Sequence, residues 1–230
     1  MPTGAHSLYA AYCLVLFTAL GLTVLVINLF LRSLRRRRLI AGRGSRAFFR
    51  ASGIPFSVEG LDRLPKVPCV VVANHASYID GLVAAAALPP DFAFVIKKEM
   101  VRVPLASLLL RRLGSQFVER FDRHKGGVDA RRVLKLAATG QSLVFFPEGT
   151  FNEIRQIGRF LGGAFTTASR SDMPVVVAAI HGTRAVLPSG SLMIRRLPIR
   201  VEILEVLSAG DARQRSREMI ARAVGEPLAP

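Results

Sequence analysis

The chain has 230 residues, of which 50% are hydrophobic, with a mean hydropathy of +0.35 and a formal net charge of +16. Both apolar values are high for a water-soluble domain and favour a membrane setting. Two cysteines provide neither a disulfide framework nor a zinc-site pattern, and the four histidines lack metal-ligand spacing. No helix-turn-helix or aromatic RNA-binding signature accompanies the positive charge, so nucleic acid is not an expected partner.

Residues 1–31 are predicted to form an N-terminal membrane anchor. The stretch from Leu8 to Leu31 contains no charged residue, and as a helix it would be about 36 Å long, enough to cross a hydrocarbon core of about 30 Å. A cleaved signal peptide would place its basic residues before a shorter apolar core. A helix lying in the interface would show one polar face, which this stretch lacks. We therefore favour a single transmembrane helix, with a helix in the interface as the alternative.

Residues 32–55 are predicted to be a basic juxtamembrane linker. Eight arginines lie between residues 32 and 50, and no acidic residue occurs before Glu59. The positive-inside rule places this side of the membrane in the cytoplasm, and the arginines should attract anionic lipid headgroups. We therefore expect the remaining domain, residues 56–230, on the cytoplasmic side.

Beyond the linker, apolar runs alternate with helical patterns. Strands are predicted over residues 56–59, 69–73, 92–96, 116–119, 143–146, 175–180 and 199–204, and helices over 81–87, 98–113, 128–138, 163–169 and 211–224. This alternation predicts an α/β domain with a mixed, largely parallel sheet flanked by helices. Loops at the carboxyl ends of the strands are where functional residues are expected.

A histidine and an aspartate with H-x4-D spacing follow the second predicted strand. A strand-to-helix turn between His75 and Asp80 would fold the carboxylate back onto the imidazole, which gives a general base and its orienting partner. The same pair is also compatible with a structural hydrogen bond at a helix start. The other motifs in the chain must therefore distinguish a catalytic pair from a structural one.

Three further blocks follow in the chain. They are residues 114–120 (GSQFVER), residues 146–150 (FPEGT), and residues 174–183, which begin Pro-Val-Val-Val and end Gly-Thr. Together with the His75 motif, their order and spacing resemble the glycerolipid acyltransferase family, best known for 1-acylglycerol-3-phosphate (lysophosphatidic acid) acyltransferases. The resemblance covers about residues 58–207. It implies transfer of a fatty acyl group from acyl-CoA or acyl carrier protein to a lipid hydroxyl, in phospholipid biosynthesis and without a cofactor.

The resemblance also implies roles for individual residues. His75 would be the base for the acceptor hydroxyl, and Asp80 would fix its tautomer and stabilise the imidazolium. The implied substrate-binding residues are Asn74, Arg120, Glu148, Gly149 and Thr150, with Lys97 and Lys98 as possible phosphate contacts.

Three positions depart from the family pattern. Glu119 stands where aspartate is usual, Phe151 replaces a common arginine, and Ala178 replaces a frequent proline. The resemblance associates that arginine with the phosphate of the acceptor. Lysophosphatidic acid, which would give phosphatidic acid, is the default acceptor. Glycerol 3-phosphate, another lysophospholipid or a phosphate-free amino-acid lipid remains an alternative.

Several of these residues also have simpler interpretations. Arg120 and the Lys97–Lys98 pair could be solvated loop cations, and Glu148 could brace its own loop. The apolar run 103–110 could line an acyl groove or face the membrane, but we favour packing in the core.

Other activities are disfavoured by the sequence. Cys69 lies inside an apolar run, which indicates a buried core residue rather than a nucleophile. A serine hydrolase would need a G-x-S-x-G motif, which does not occur, and neither nucleotide-binding glycine motif is found. A catalytically silent lipid-binding homologue is the remaining non-enzyme alternative.

Overall fold

Two long antiparallel helices open the chain in the computed structural model, which describes residues 4–119, 123–151 and 153–230. Helix α1 (Gly4–Phe30) carries the apolar stretch, and α2 (Leu34–Ser52) carries seven of the eight arginines between residues 32 and 50. Ser33 caps the start of α2 by accepting the Arg36 N–H, and Gly53 ends it with a φ of 69°, in the left-handed region that favours glycine. Residues 32–55, predicted as a linker, therefore form mainly a packed helix.

The arginines of α2 explain why this segment folds. Arg37 and Arg38 donate to the main-chain carbonyls of Arg112 and Leu113, and Arg46 donates to the carbonyl of Ala86. On the same helix, Phe48 and Phe49 are buried in the core. Because guanidinium groups satisfy carbonyls at the ends of neighbouring helices, the charge of α2 is partly structural.

Within the described residues, seven strands form one sheet in the order β1–β7–β6–β2–β5–β3–β4. The strands are β1 (Phe56–Glu59), β2 (Val70–Ala73), β3 (Phe92–Lys97), β4 (Gln116–Val118), β5 (Ser142–Phe145), β6 (Val175–His181) and β7 (Ile199–Leu207). Strands β6, β2, β5, β3 and β4 are parallel, and β7 runs antiparallel to β6 with β1 parallel to β7. The predicted mixed, largely parallel α/β sheet is confirmed.

Helices cover both faces of the sheet. The remaining helices are α3 (Asp80–Ala87), α4 (Pro104–Arg112), α5 (Arg123–Ala138), α6 (Gly163–Arg170), α7 (Thr183–Val186) and α8 (Ala212–Val224). One buried cluster joins α1, α2 and α3 to the sheet, and a second joins α5, α6 and α8 to its other face. The sheet is therefore buried on both faces, as a largely parallel sheet requires.

The predicted helix over 98–113 is divided in the structure. A 3₁₀ turn (Lys98–Arg102) precedes α4, which begins at Pro104. Proline has no N–H to continue a helix but fits its first turn. The prediction that residues 103–110 pack in the core was wrong, because Val103, Leu105 and Leu108 are 48%, 58% and 40% exposed. Helix α4 also contacts α1.

Helix α1 is held against the domain at both ends. Near its start, Tyr9 and Tyr12 donate hydrogen bonds to the carbonyls of Ser52 and Ala51 at the end of α2. At its other end, the Arg112 guanidinium donates to the carbonyls of Asn28, Leu29 and Leu31, which lack helical partners. The outward face of α1 is apolar and exposed, and the helix is long and apolar enough to cross a membrane by length and composition.

Candidate active site

The central pair of the site joins the end of β2 to the start of α3. Nδ1 of His75 lies 2.8 Å from Oδ2 of Asp80, and the same oxygen accepts the backbone N–H groups of Ala76 (2.6 Å) and Ser77 (2.8 Å). Asp80 is fully buried (0% exposed) and is the first residue of α3, where the helix dipole favours an anion. Because Asp80 accepts at Nδ1, the neutral imidazole leaves Nε2 as the nitrogen that can accept a proton.

Two aromatic side chains pack against the imidazole, and a third packs on one of them. The ring of His75 stacks on Phe146 with centroids 4.6 Å apart, and Phe151 meets it edge-on at 4.5 Å. Tyr78 packs edge-on against Phe151 at 4.8 Å. Phe151 therefore contacts the candidate base itself, at the position where the family pattern has arginine. Phe146 and Tyr78 both lie inside the sequence motifs, but neither was expected to have a role at the site.

Glu148 connects two loops of the site. Its Oε1 accepts the backbone N–H of His75 at 2.7 Å, and its Oε2 accepts the backbone N–H of Gly158 at 2.7 Å. Burial raises the pKa of the Glu148 carboxyl, and the two N–H donors offset part of this effect. Both oxygens of Glu148 are thus used by the main chain. This geometry matches the loop-bracing interpretation, and the contact of Glu148 with the acceptor stays a prediction.

Gly149 and Thr150 complete the turn after Glu148. Gly149 has a φ of 78°, in the left-handed region, so the turn depends on glycine at this position. Thr150 is exposed on the surface. Its side chain is therefore accessible to a substrate, as the prediction requires.

Asn74 lies just beyond the end of β2, and its side chain bonds the neighbouring strand β6. Its side-chain nitrogen donates to the Ile180 carbonyl at 2.9 Å, and its oxygen accepts the Ile180 N–H at 2.7 Å. The residue is buried at 3% exposure. Asn74 thus continues the β2–β6 pairing beyond the end of β2 and fixes the chain just before His75. In this structure both ends of the Asn74 amide bond Ile180, and a contact of Asn74 with substrate stays a prediction.

Two of the predicted phosphate-binding cations, Lys97 and Lys98, lie at the same edge of the sheet as His75. Lys97 and Lys98 are exposed at the end of β3, two strand positions from β2, which corresponds to about 10 Å. Lys98 also lines a cavity of about 450 Å³ beside β4, together with Arg111 and Arg132. Arg120 lies outside the described residues.

Cys69 is a core residue, as its apolar surroundings indicated. It is buried, and burial raises the pKa of its thiol to about 11. A thiol with this pKa is protonated at neutral pH and is a poor nucleophile.

Comparison with known proteins agrees with the motifs. Residues 55–181 match the family model described as Acyltransferase. The chain is 32% identical over 136 residues to 1-acyl-sn-glycerol-3-phosphate acyltransferase BAT2, chloroplastic, of Brassica napus, covering 58% of this chain and 39% of that protein. It is also 32% identical over 137 residues to LPAT1, chloroplastic, of Arabidopsis thaliana, covering 59% and 38% of the two chains. The chain thus spans less than half the length of these curated relatives.

A solved structure has the same fold. The crystal structure of the 1-acyl-sn-glycerophosphate (LPA) acyltransferase PlsC from Thermotoga maritima superposes with a TM-score of 0.78, at 22% sequence identity, and covers 96% of this chain and 94% of that one. At this identity the likeness establishes the fold, including the helices around the sheet. The family model covers more than half of the chain, and the protein is therefore a member of the acyltransferase family.

Proposed function

We propose that the protein transfers a fatty acyl group from a thioester to the hydroxyl of a lysophospholipid, with 1-acylglycerol 3-phosphate as acceptor and phosphatidic acid as product. The observation that carries this proposal is the hydrogen-bonded His75–Asp80 pair at the carboxyl edge of the sheet, in a chain of the acyltransferase family. The named relatives described above act on this acceptor.

The geometry suits direct transfer. Nε2 of His75 removes the hydroxyl proton as the acceptor oxygen attacks the thioester carbonyl. The tetrahedral intermediate then expels the thiolate, which takes the proton back from the imidazolium. Asp80 stabilises the imidazolium through the Nδ1 hydrogen bond, and the stacked face of Phe146 adds attraction for the cation. No covalent acyl-enzyme and no cofactor are needed, because the thioester is already activated.

The identity of the acceptor depends on the cations around the site. Phe151 places no positive charge beside His75. In this proposal the phosphate of the acceptor is therefore bound by Arg120, with Lys97 and Lys98. A phosphate-free lipid hydroxyl is the alternative that the aromatic contact of Phe151 favours. Acyl-CoA and acyl carrier protein both present the required thioester.

Membrane association is the second part of the proposal. The docking of both ends of α1 on one domain supports a helix that lies in one leaflet, with its apolar outer face and the exposed side chains of α4 buried in lipid. This placement replaces the single span expected from length and composition. Anionic headgroups would meet the exposed arginines of α2. The cytoplasmic location stays a prediction.

The test is an acyl-transfer assay on the full chain. Purified protein is offered a panel of lysophospholipids, glycerol 3-phosphate and phosphate-free lipid acceptors, each with acyl-CoA and with acyl carrier protein, and products are identified by mass spectrometry. Phosphatidic acid formed from 1-acylglycerol 3-phosphate, and not formed by His75→Ala, supports the proposal. Turnover confined to phosphate-free acceptors would contradict 1-acylglycerol 3-phosphate as the acceptor. The absence of product from every acceptor would favour a catalytically silent lipid-binding protein.

A further inference from the structure

We infer that Arg217 of α8 and the segment of residues 226–229 form a strap that positions His75 through Glu148. These residues lie far from the candidate base in sequence, and none of the family motifs includes them. The catalytic meaning of this role rests on the proposed function, but the mechanical coupling is measurable without it.

The first contact of the strap is with the loop of residues 157–161. The Ile157 N–H donates to the Pro227 carbonyl at 2.9 Å, and the Ala229 N–H donates to the Ile157 carbonyl at 2.9 Å. Ile157 and Leu228 thereby form a parallel bridge, and the Ile157 side chain is buried at 1% exposure. The segment therefore holds the loop by main-chain pairing on both sides of one buried residue.

Arg217 of α8 binds both the 157–161 loop and the C-terminal segment. Its Nε donates to the Gly158 carbonyl at 2.8 Å, and one terminal nitrogen donates to the carbonyls of Ile157 and Ala229. A planar guanidinium can reach several carbonyls in fixed directions, which a lysine ammonium cannot reproduce. Because α8 packs on β6 with Ile220 fully buried, Arg217 ties the loop to the core.

The loop contacts the site through a single carboxylate. Gly158 donates its N–H to Oε2 of Glu148, whose Oε1 accepts the N–H of His75, and both distances are 2.7 Å. A Cβ added at Gly158 would lie 3.1 Å from Oε2 of Glu148, so even a methyl group would press on this carboxylate. A shift of the loop is therefore transmitted to the main chain of His75.

An ion pair supports the same link. Nε of Arg184 lies 3.1 Å from Oε1 of Glu226, and the two side chains are 16% and 11% exposed. The positive charge of Arg184 also lowers the pKa of Glu148, against the larger effect of burial. Glu226 thus holds a cation near Glu148, which favours the charged carboxylate that accepts both N–H groups.

Amide hydrogen exchange measures the coupling directly. In Arg217→Ala, exchange of the His75 amide should be about tenfold faster than in the wild type, because its bond to Glu148 opens more often. Gly158→Ala should have the same effect while Arg217 is retained, which covers the case that Arg217→Ala folds poorly. Arg215→Ala is the matched control on the same helix, since Arg215 is exposed and pairs with Glu205, and it should leave His75 exchange unchanged.

A double-mutant cycle tests the catalytic consequence. Arg217→Ala should lower kcat about tenfold with little change in either KM, but less than about twofold in a Glu148→Gln background, because both changes break the same link. Fully additive effects, or unchanged His75 exchange in folded Arg217→Ala, would overturn the strap; where Arg217→Ala does not fold, unchanged His75 exchange in Gly158→Ala would overturn it. An inactive wild type would instead overturn the proposed function, and the exchange result would still decide the strap.

Discussion

Replacement of Asp80 by asparagine separates its charge from its shape. The amide oxygen of the new side chain would occupy the position of Oδ2, so the three N–H donors from His75, Ala76 and Ser77 would keep an acceptor. The fold should therefore change little. What is lost is the negative charge that faces the imidazolium in the transition state.

The expected loss follows from the geometry. Two unit charges about 4 Å apart attract by about 4 kcal/mol at an effective dielectric constant of about 20, and this is an upper limit because solvent and neighbouring dipoles compensate. A charged hydrogen bond is worth about 1.5 to 3 kcal/mol. Loss of about 2 to 4 kcal/mol in the transition state corresponds to a decrease in kcat of about 30-fold to 1000-fold.

The assay is steady-state acyl transfer by Asp80→Asn, with thermal unfolding measured in parallel. We expect both KM values to stay near those of the wild type and kcat to decrease as above. Asp91→Asn is the control, because Asp91 makes an exposed ion pair with Arg35, and such pairs contribute little. A kcat for Asp80→Asn within about threefold of the wild type, in folded protein, would refute the role of the Asp80 charge.

Three further predictions test the acceptor and the membrane surface. Arg120→Ala should raise the KM of a phosphate-bearing acceptor by about 10-fold to 100-fold and leave the thioester KM unchanged, as expected for a lost charged hydrogen bond; an unchanged acceptor KM would remove Arg120 from phosphate binding. Phe151→Arg should lower the KM of the phosphate-bearing acceptor. It should also shift the acidic limb of the pH–rate profile to lower pH, because a neighbouring cation disfavours the imidazolium of His75. An acidic limb at the same pH as in the wild type would mean that residue 151 does not affect the base. Leu105→Ser with Leu108→Ser should weaken vesicle binding about tenfold or more, measured by flotation, whereas exposed Leu61→Ser should not; equal binding by all variants would exclude α4 from the membrane surface.

The sequence predicted the sheet and the pairing of His75 with Asp80 because both depend on local order. A buried strand followed by a helix start brings residues five positions apart into contact, and parallel strands collect their carboxyl ends at one edge. The family motifs then selected this pair from other histidines and aspartates.

The roles of Asn74 and Glu148 could not be predicted in the same way. The partners of their side chains are main-chain groups of Ile180, His75 and Gly158. Every residue carries such groups, so no side-chain pattern in the sequence marks them. Their position is fixed only when the strands and loops have packed.

The first helix shows a similar limit. The apolar length of α1 is visible in the sequence, but the hydrogen bonds from Tyr9 and Arg112 that hold its two ends are tertiary. Residues 103–110 have the composition of a core helix, but Val103, Leu105 and Leu108 are exposed, and α4 contacts α1. Composition alone does not distinguish a surface covered by protein from one covered by lipid.

The most direct test of the account is the turnover of His75→Ala with 1-acylglycerol 3-phosphate and an acyl thioester. Because the ring of His75 supplies the proton acceptor, kcat should decrease by about 100-fold or more, while thermal unfolding stays close to the wild type and the backbone N–H of residue 75 remains available to Glu148. Near-normal turnover by the folded variant would contradict the assignment of His75 as the general base.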